Sequence, residues 1–234
     1  MNRIMFLLSM ISSIFISRDK TREYKHQNRY CRFLLNSSAR EVAIFSRTKF
    51  HVTGMEKVPK DTPFLLVCNH RSKLDPIYTW MIFKKYKLSF ITKKENFSIP
   101  WYGKLIRKCC FLGIDRQDPR KAISTIEKAA DLLKRGEVSI GVYPEGTRHL
   151  DCKMGEFHAL VFRIATDAKV PIVVMAITGI ENVAKNFPWK RAHVHMDVLD
   201  VYTADEVAAV PRVKLCEKAY NQIKSFIDTK EMER

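Results

Sequence analysis

Residues 69–75 read NHRSKLD and follow the apolar run FLLVC. They hold a histidine, His70, and a carboxylate, Asp75, with four residues between them. An imidazole held by a carboxylate is a general base: the carboxylate fixes the tautomer, and the second ring nitrogen can take a proton from a hydroxyl. Residues five apart on one helix are about 140° apart around its axis, so these side chains meet only if the chain turns between them. Pro76 supports that turn. Proline favours the first helical position, which makes Asp75 the expected N-cap and leaves His70 in the loop before the helix. The plainer alternative is a capping aspartate beside an ordinary loop histidine.

Two more polar clusters follow apolar runs. FLGI leads into Asp115 and Arg116, and VSIGVY leads into Pro144, Glu145, Gly146, Thr147 and Arg148. Guanidinium forks match phosphate oxygens, and Gly146 permits a tight turn that brings backbone N–H groups close to a ligand. Taken singly, each arginine reads first as half of a surface ion pair; three polar tips at three strand ends together point to a site. Cys68, two residues before His70 and on the same strand face, is the rival nucleophile; it also reads as a buried strand cysteine.

The elements that must position these residues alternate. Strand-like runs are FHV, TPFLLVCN, KLSFIT, CFLGI, VSIGVY, VPIVVMAI and HVHMDVL. Between and after them lie helical stretches expected near 76–84, 101–108, 119–135, 156–168 and 204–228. Helices between short β-branched runs predict an α/β domain with a largely parallel central sheet flanked by helices, spanning 50–234. Such sheets bind ligands just outside the carboxyl ends of their strands, where all three polar clusters fall.

Residues 1–49 read differently. IMFLLSMISSIFI, residues 4–16, is too short as a helix, at about 20 Å, to cross a hydrocarbon core of roughly 30 Å. It is expected to lie in the membrane, or else to pack on the domain's own core. Residues 18–49 carry nine Lys or Arg and three Asp or Glu. On a helical projection Lys25, Arg29, Arg32, Arg40 and Arg47 share one edge, with Tyr30, Leu34, Val42, Ile44 and Phe45 away from it. That is an amphipathic helix suited to anionic headgroups, or one whose charged side simply faces water. Together the segments predict a membrane-associated helix pair.

The whole chain of 234 residues has 41 Lys and Arg against 25 Asp and Glu, a formal +16, so an anionic partner is expected. No nucleic-acid reader module is present, and the aromatics follow core periodicity. Six cysteines without a CxxC pair argue against a zinc site or disulfide framework and fit a reducing cytosol.

NHRSKLD, FLGIDR, VYPEGTR and VPIVVMAI resemble, in order and spacing, the four blocks of the glycerolipid acyltransferases, specifically the 1-acyl-sn-glycerol-3-phosphate (lysophosphatidate) acyltransferases. The similarity runs over about 52–201, and the first and third blocks are specific as a pair. The resemblance implies an αβ domain docked on the cytoplasmic face of a membrane, peripheral or monotopic. It implies acyl transfer from acyl-CoA or acyl carrier protein (acyl-ACP) to the sn-2 hydroxyl of lysophosphatidate, without a metal or further cofactor. His70 would be the general base and Asp75 its orienting carboxylate; Glu145, Gly146, Thr147 and Arg148 would form the glycerol-phosphate site with Arg116. Lys93, in FITKKENFSIPWYG, would stabilise the oxyanion. Two departures stand out: the loop after Arg148 is short, which affects the match of Lys153, and Val174 stands where proline is common. Glycerol 3-phosphate, another lysophospholipid as acceptor, and a non-catalytic basic membrane-binding protein are the alternatives.

Overall fold

The computed structural model describes residues 24–115, 117–148 and 153–232. The apolar segment 4–16 and Arg116 therefore lie outside the described residues. The strands are β1 (Thr48–Thr53), β2 (Leu65–Cys68), β3 (Leu88–Lys93), β4 (Leu112–Ile114), β5 (Ser139–Val142), β6 (Ile172–Thr178) and β7 (Ala192–Tyr202). They form one sheet in the order β1-β7-β6-β2-β5-β3-β4. Every neighbouring pair is parallel except β6 with β7.

The helices are α1 (Arg29–Phe45), α2 (Asp75–Ile82), α3 (Tyr102–Lys108), α4 (Pro119–Lys134), α5 (Arg163–Ala168), α6 (Asn182–Asn186), α7 (Ala204–Ala209) and α8 (Arg212–Met232). Side chains of α1, α2 and α3 pack on one face of the sheet, and those of α4, α5 and α8 on the other. β2 and β6 are buried along their whole length, as unbroken apolar strings covered on both faces must be. Because β2 to β6 all run the same way, their carboxyl ends share one edge.

Local signals set the helix starts. Asn28 accepts from the Cys31 N–H at 2.9 Å to open α1. Asp118 accepts from the Arg120 and Lys121 N–H groups to open α4, with Pro119 at its first position. The helix expected over 156–168 is instead a 3-10 turn, Ala159–Phe162, running into α5. The one expected over 204–228 is divided into α7 and α8 at Pro211, which has no N–H to continue α7.

α1 departs from its expected orientation. Arg32, placed by the helical projection on the charged edge expected to face lipid headgroups or water, is 9% exposed. It donates to the carbonyls of Leu88 at 2.9 Å and Lys87 at 3.3 Å, and its guanidinium lies 4.4 Å from the Trp80 ring centre. Cys31, Leu34, Leu35, Ala39 and Ala43 join the core shared with the sheet, whereas Tyr30, Ile44 and Phe45 face outward. The expected division between residues 49 and 50 falls inside β1. Among the described residues no helix is long and apolar enough to cross a membrane.

Candidate active site

At the end of β2 the chain leaves the sheet through Asn69, whose buried amide makes two bonds to β6. Its Nδ2 donates to the Ile177 carbonyl at 2.9 Å, and its Oδ1 accepts from the Ile177 N–H at 2.8 Å. This fixes the strand end from which His70 projects. The sequence signal for Asn69 is a polar residue closing an apolar strand.

The turn between His70 and Asp75 closes. His70 Nδ1 lies 2.7 Å from Asp75 Oδ2, and the same oxygen accepts from the N–H groups of Arg71 and Ser72, each at 2.7 Å. Since an ionised carboxylate only accepts, Nδ1 carries the proton and Nε2 is left with its lone pair. Asp75 is not the N-cap, however. Leu74 occupies that position, and Asp75 is the first helical residue, its carboxylate turned back to cap the loop instead of α2. Three donors converging on one oxygen hold it there.

Asp75 is fully buried, and burial raises its carboxyl above the ordinary value of 3.8, against the lowering effects of His70 and the two backbone donors. Its Oδ1 has no partner among the described residues. The His70 ring stacks on Tyr143 with centres 4.4 Å apart, and Tyr143 in turn lies 5.9 Å from Phe90. Burial, reinforced by Cys68 and Asp75, lifts the Tyr143 phenol well above its ordinary range, so it stays protonated and donates to Thr79 at 3.3 Å. The imidazole thus has an anion on one edge and a neutral aromatic floor.

Glu145, 4% exposed, faces inward. Its Oε1 accepts from the His70 N–H at 2.6 Å and its Oε2 from the Gly155 N–H at 2.9 Å, tying the loops after β2 and β5 together. Gly146 has φ +69°, and its N–H donates to the Tyr143 carbonyl at 3.0 Å to close the turn. Thr147 and Arg148 are exposed beyond it. Lys93 is exposed at the carboxyl end of β3, and Asp115 is held by Lys94 at 3.0 Å.

Arg71, which the sequence did not mark, is 6% exposed in its side chain and pairs with Glu181 at 3.5 Å and Glu231 at 2.8 Å. A cavity of about 190 Å³ beside it is also lined by Lys153, Lys224 and Asp228. Cys68 is buried, and burial, with the Asp75 charge second, raises its thiol well above 9.0. It is a protonated core residue.

Residues 49–178 match the Acyltransferase family. The chain is 34% identical over 139 residues to a chloroplastic 1-acyl-sn-glycerol-3-phosphate acyltransferase of Arabidopsis thaliana, covering 59% of this chain and 38% of that one. It is 32% identical over 181 residues to a probable 1-acyl-sn-glycerol-3-phosphate acyltransferase of Mycoplasma pneumoniae, covering 74% and 66%. Against the 1-acyl-sn-glycerol-3-phosphate acyltransferase of Bacillus subtilis the identity is 30%, covering 61% and 69%. The chain thus spans less than two thirds of the length of the first two of these relatives. Its fold matches the crystal structure of the 1-acyl-sn-glycerophosphate (LPA) acyltransferase, PlsC, from Thermotoga maritima. That match has a TM-score of 0.67 and 21% identity, over 99% of this chain and 98% of that one.

Proposed function

The chain belongs to the Acyltransferase family, and on that premise we propose that it makes phosphatidic acid for phospholipid biosynthesis. It does so by moving a fatty acyl group from acyl-CoA or acyl-ACP to the sn-2 hydroxyl of 1-acyl-sn-glycerol 3-phosphate. The observation that carries this reading is the 2.7 Å bond between His70 Nδ1 and Asp75 Oδ2, which leaves Nε2 as a base at the carboxyl edge of the sheet.

In the reaction, His70 Nε2 takes the hydroxyl proton as the oxygen attacks the thioester carbonyl carbon. Asp75 balances the imidazolium while the tetrahedral intermediate lasts. Lys93 stabilises its oxyanion. The C–S bond then breaks, the electron pair leaves with sulfur, and the imidazolium returns its proton to that thiolate. Arg148 and Thr147, with Arg116, hold the acceptor's phosphate by charge and hydrogen bonding. Glu145 and Gly146 shape the loop that presents them, since both Glu145 oxygens are engaged by backbone. The thioester arrives activated, so no cofactor or metal enters. Residues 1–49 form the membrane-associated segment, which seats the αβ domain on the cytoplasmic face as a peripheral or monotopic protein.

The test is acyl transfer from labelled acyl thioester to lysophosphatidate on anionic vesicles. Wild type is expected to form phosphatidic acid and folded His70→Ala to lose roughly 10²–10⁴-fold in rate. Equal rates would remove His70 as the base. Product from neither protein, with either donor and with glycerol 3-phosphate or other lysophospholipids as acceptors, would favour a membrane-binding protein without turnover.

A further inference from the structure

The edge that carries His70 also carries a patch that the acyl-transfer chemistry does not use. At the end of α1, Ile44 and Phe45 are 52% and 72% exposed; in the loop from α6 to β7, Phe187 and Trp189 are 40% and 83% exposed. The two segments meet. The Phe45 and Phe187 rings are 5.0 Å apart, and Arg47 donates to the Pro188 carbonyl at 3.2 Å. β1 and β7 start together here, Thr48 opposite Ala192, while Thr178 at the carboxyl end of β6 stands opposite His195. The patch therefore projects about 10 Å past the end of β6, on the His70 side of the sheet.

Its charge is of one sign. Residues 44–51 and 182–191 contain Arg47, Lys49, Lys185, Lys190 and Arg191 and no Asp or Glu. A cavity of about 460 Å³ between the segments is lined by Arg47, Lys49 and Arg191 together with Ala43, Ile44 and Thr48. Exposed aromatics rimmed by polar residues mark an interaction surface, and tryptophan favours the boundary between water and hydrocarbon. A rim of cations alone matches an anionic bilayer. The patch is also tied to the site: the Tyr78 hydroxyl, one turn along α2 from Asp75, bonds Ser46 Oγ at 2.7 Å and Thr48 Oγ1 at 2.8 Å.

We propose that Ile44, Phe45, Phe187 and Trp189 insert into the interfacial layer of an anionic bilayer while Arg47, Lys49 and Arg191 hold lipid phosphates. Through Phe187, Trp189 and Arg191 the αβ domain thereby adds a membrane contact of its own beside the end of the N-terminal segment, and the two together turn the His70 edge toward the lipid. This deepens the proposed lipid acylation and rests on it for the bilayer's presence at this edge.

The test uses the full chain and vesicles of phosphatidylglycerol and phosphatidylcholine carrying brominated acyl chains. Tryptophan quenching is compared between wild type and Trp189→Phe, a surface change that keeps an aromatic ring. The expected result is a quenched component in wild type that is missing from Trp189→Phe. Identical quenching of the two bound proteins, or no binding by wild type, would overturn the proposal. Arg47→Gln with Arg191→Gln is expected to weaken partition onto these vesicles by roughly tenfold to thirtyfold and leave partition onto pure phosphatidylcholine unchanged. An equal change on both would overturn the phosphate role. Acyl transfer assayed on the same samples separates the two readings: docking without turnover sinks the activity alone, and turnover without Trp189 insertion sinks the docking alone.

Discussion

Asp75 and Glu145 are both buried carboxylates at the carboxyl edge, 0% and 4% exposed, yet they are used in different ways. Asp75 gathers its donors on one oxygen, all from His70, Arg71 and Ser72, and leaves the other bare among the described residues. Glu145 gives one oxygen to the N–H of His70 and the other to the N–H of Gly155, two distant segments. His70 belongs to both arrangements, its ring bonded to Asp75 and its backbone to Glu145. The difference teaches that one carboxylate adjusts the chemistry of the imidazole while the other decides where that imidazole stands. Replacing each should separate rate from stability.

The largest effect is expected at Asp75. In Asp75→Asn the amide oxygen can still accept from the loop, but no anion remains to balance an imidazolium. The rate should fall by roughly 10²–10⁴-fold. Stability should move the other way. Because burial raises this carboxyl above 3.8 in the folded protein, the unfolded chain ionises first as pH rises through that value, which favours unfolding. The cost is absent below the ordinary aspartate range and fully present above the folded value. Asp75→Asn should therefore melt at or above the wild-type temperature near neutral pH, with the difference closing in strong acid. A neutral-pH melting temperature well below wild type would show that Asp75 is structural first.

Glu145→Gln should do the reverse. One of the two backbone N–H groups would face an amide NH₂ in place of an oxygen, leaving a buried donor unpaired at a cost of about 1–3 kcal/mol. Denaturant melts should show that loss, and the turnover that survives should keep the wild-type acyl-donor preference, because the bond between the His70 ring and Asp75 does not involve Glu145. Unchanged stability would mean that the tie between the two loops carries little weight.

What was legible in the sequence follows the same division between local and distant. Pro76 and the apolar run before His70 are neighbours in sequence, so the turn that joins His70 to Asp75 could be read, although the cap assignment could not. Which donors a carboxylate collects depends on the loop's path, and here they lie before Asp75, not after it. The inward set of Glu145 depends on Gly155 and on a strand end 75 residues earlier, which no local pattern reports. α1 failed to read for a related reason. Large apolar residues occupy two of its arcs, and only the packing of Trp80 and the Leu88 carbonyl decides that Arg32 turns in while Ile44 and Phe45 turn out. The parallel strands were legible because alternation with helices dictates them, and the break at Pro211 is likewise a local signal, a residue with no N–H to continue a helix.

The smallest expected effect completes the contrast. Cys68 sits two residues before His70, and a thiol there is an internal rival nucleophile to direct attack. Its environment opposes ionisation: burial is the main cause of its raised pKa, and the neighbouring Asp75 charge adds to it. A thiolate would then form beside a carboxylate already lacking a partner on one oxygen, which compounds the electrostatic cost. Cys68→Ala should accordingly keep most of its turnover and lose about 1 kcal/mol of stability from the vacated space. Native-state thiol labelling of Cys68 should be slow in wild type and quicken only on unfolding. Abolished acyl transfer in a folded Cys68→Ala protein would move the reaction from direct attack to a covalent acyl-enzyme. Asp75 would then answer to the cysteine as well as to the histidine.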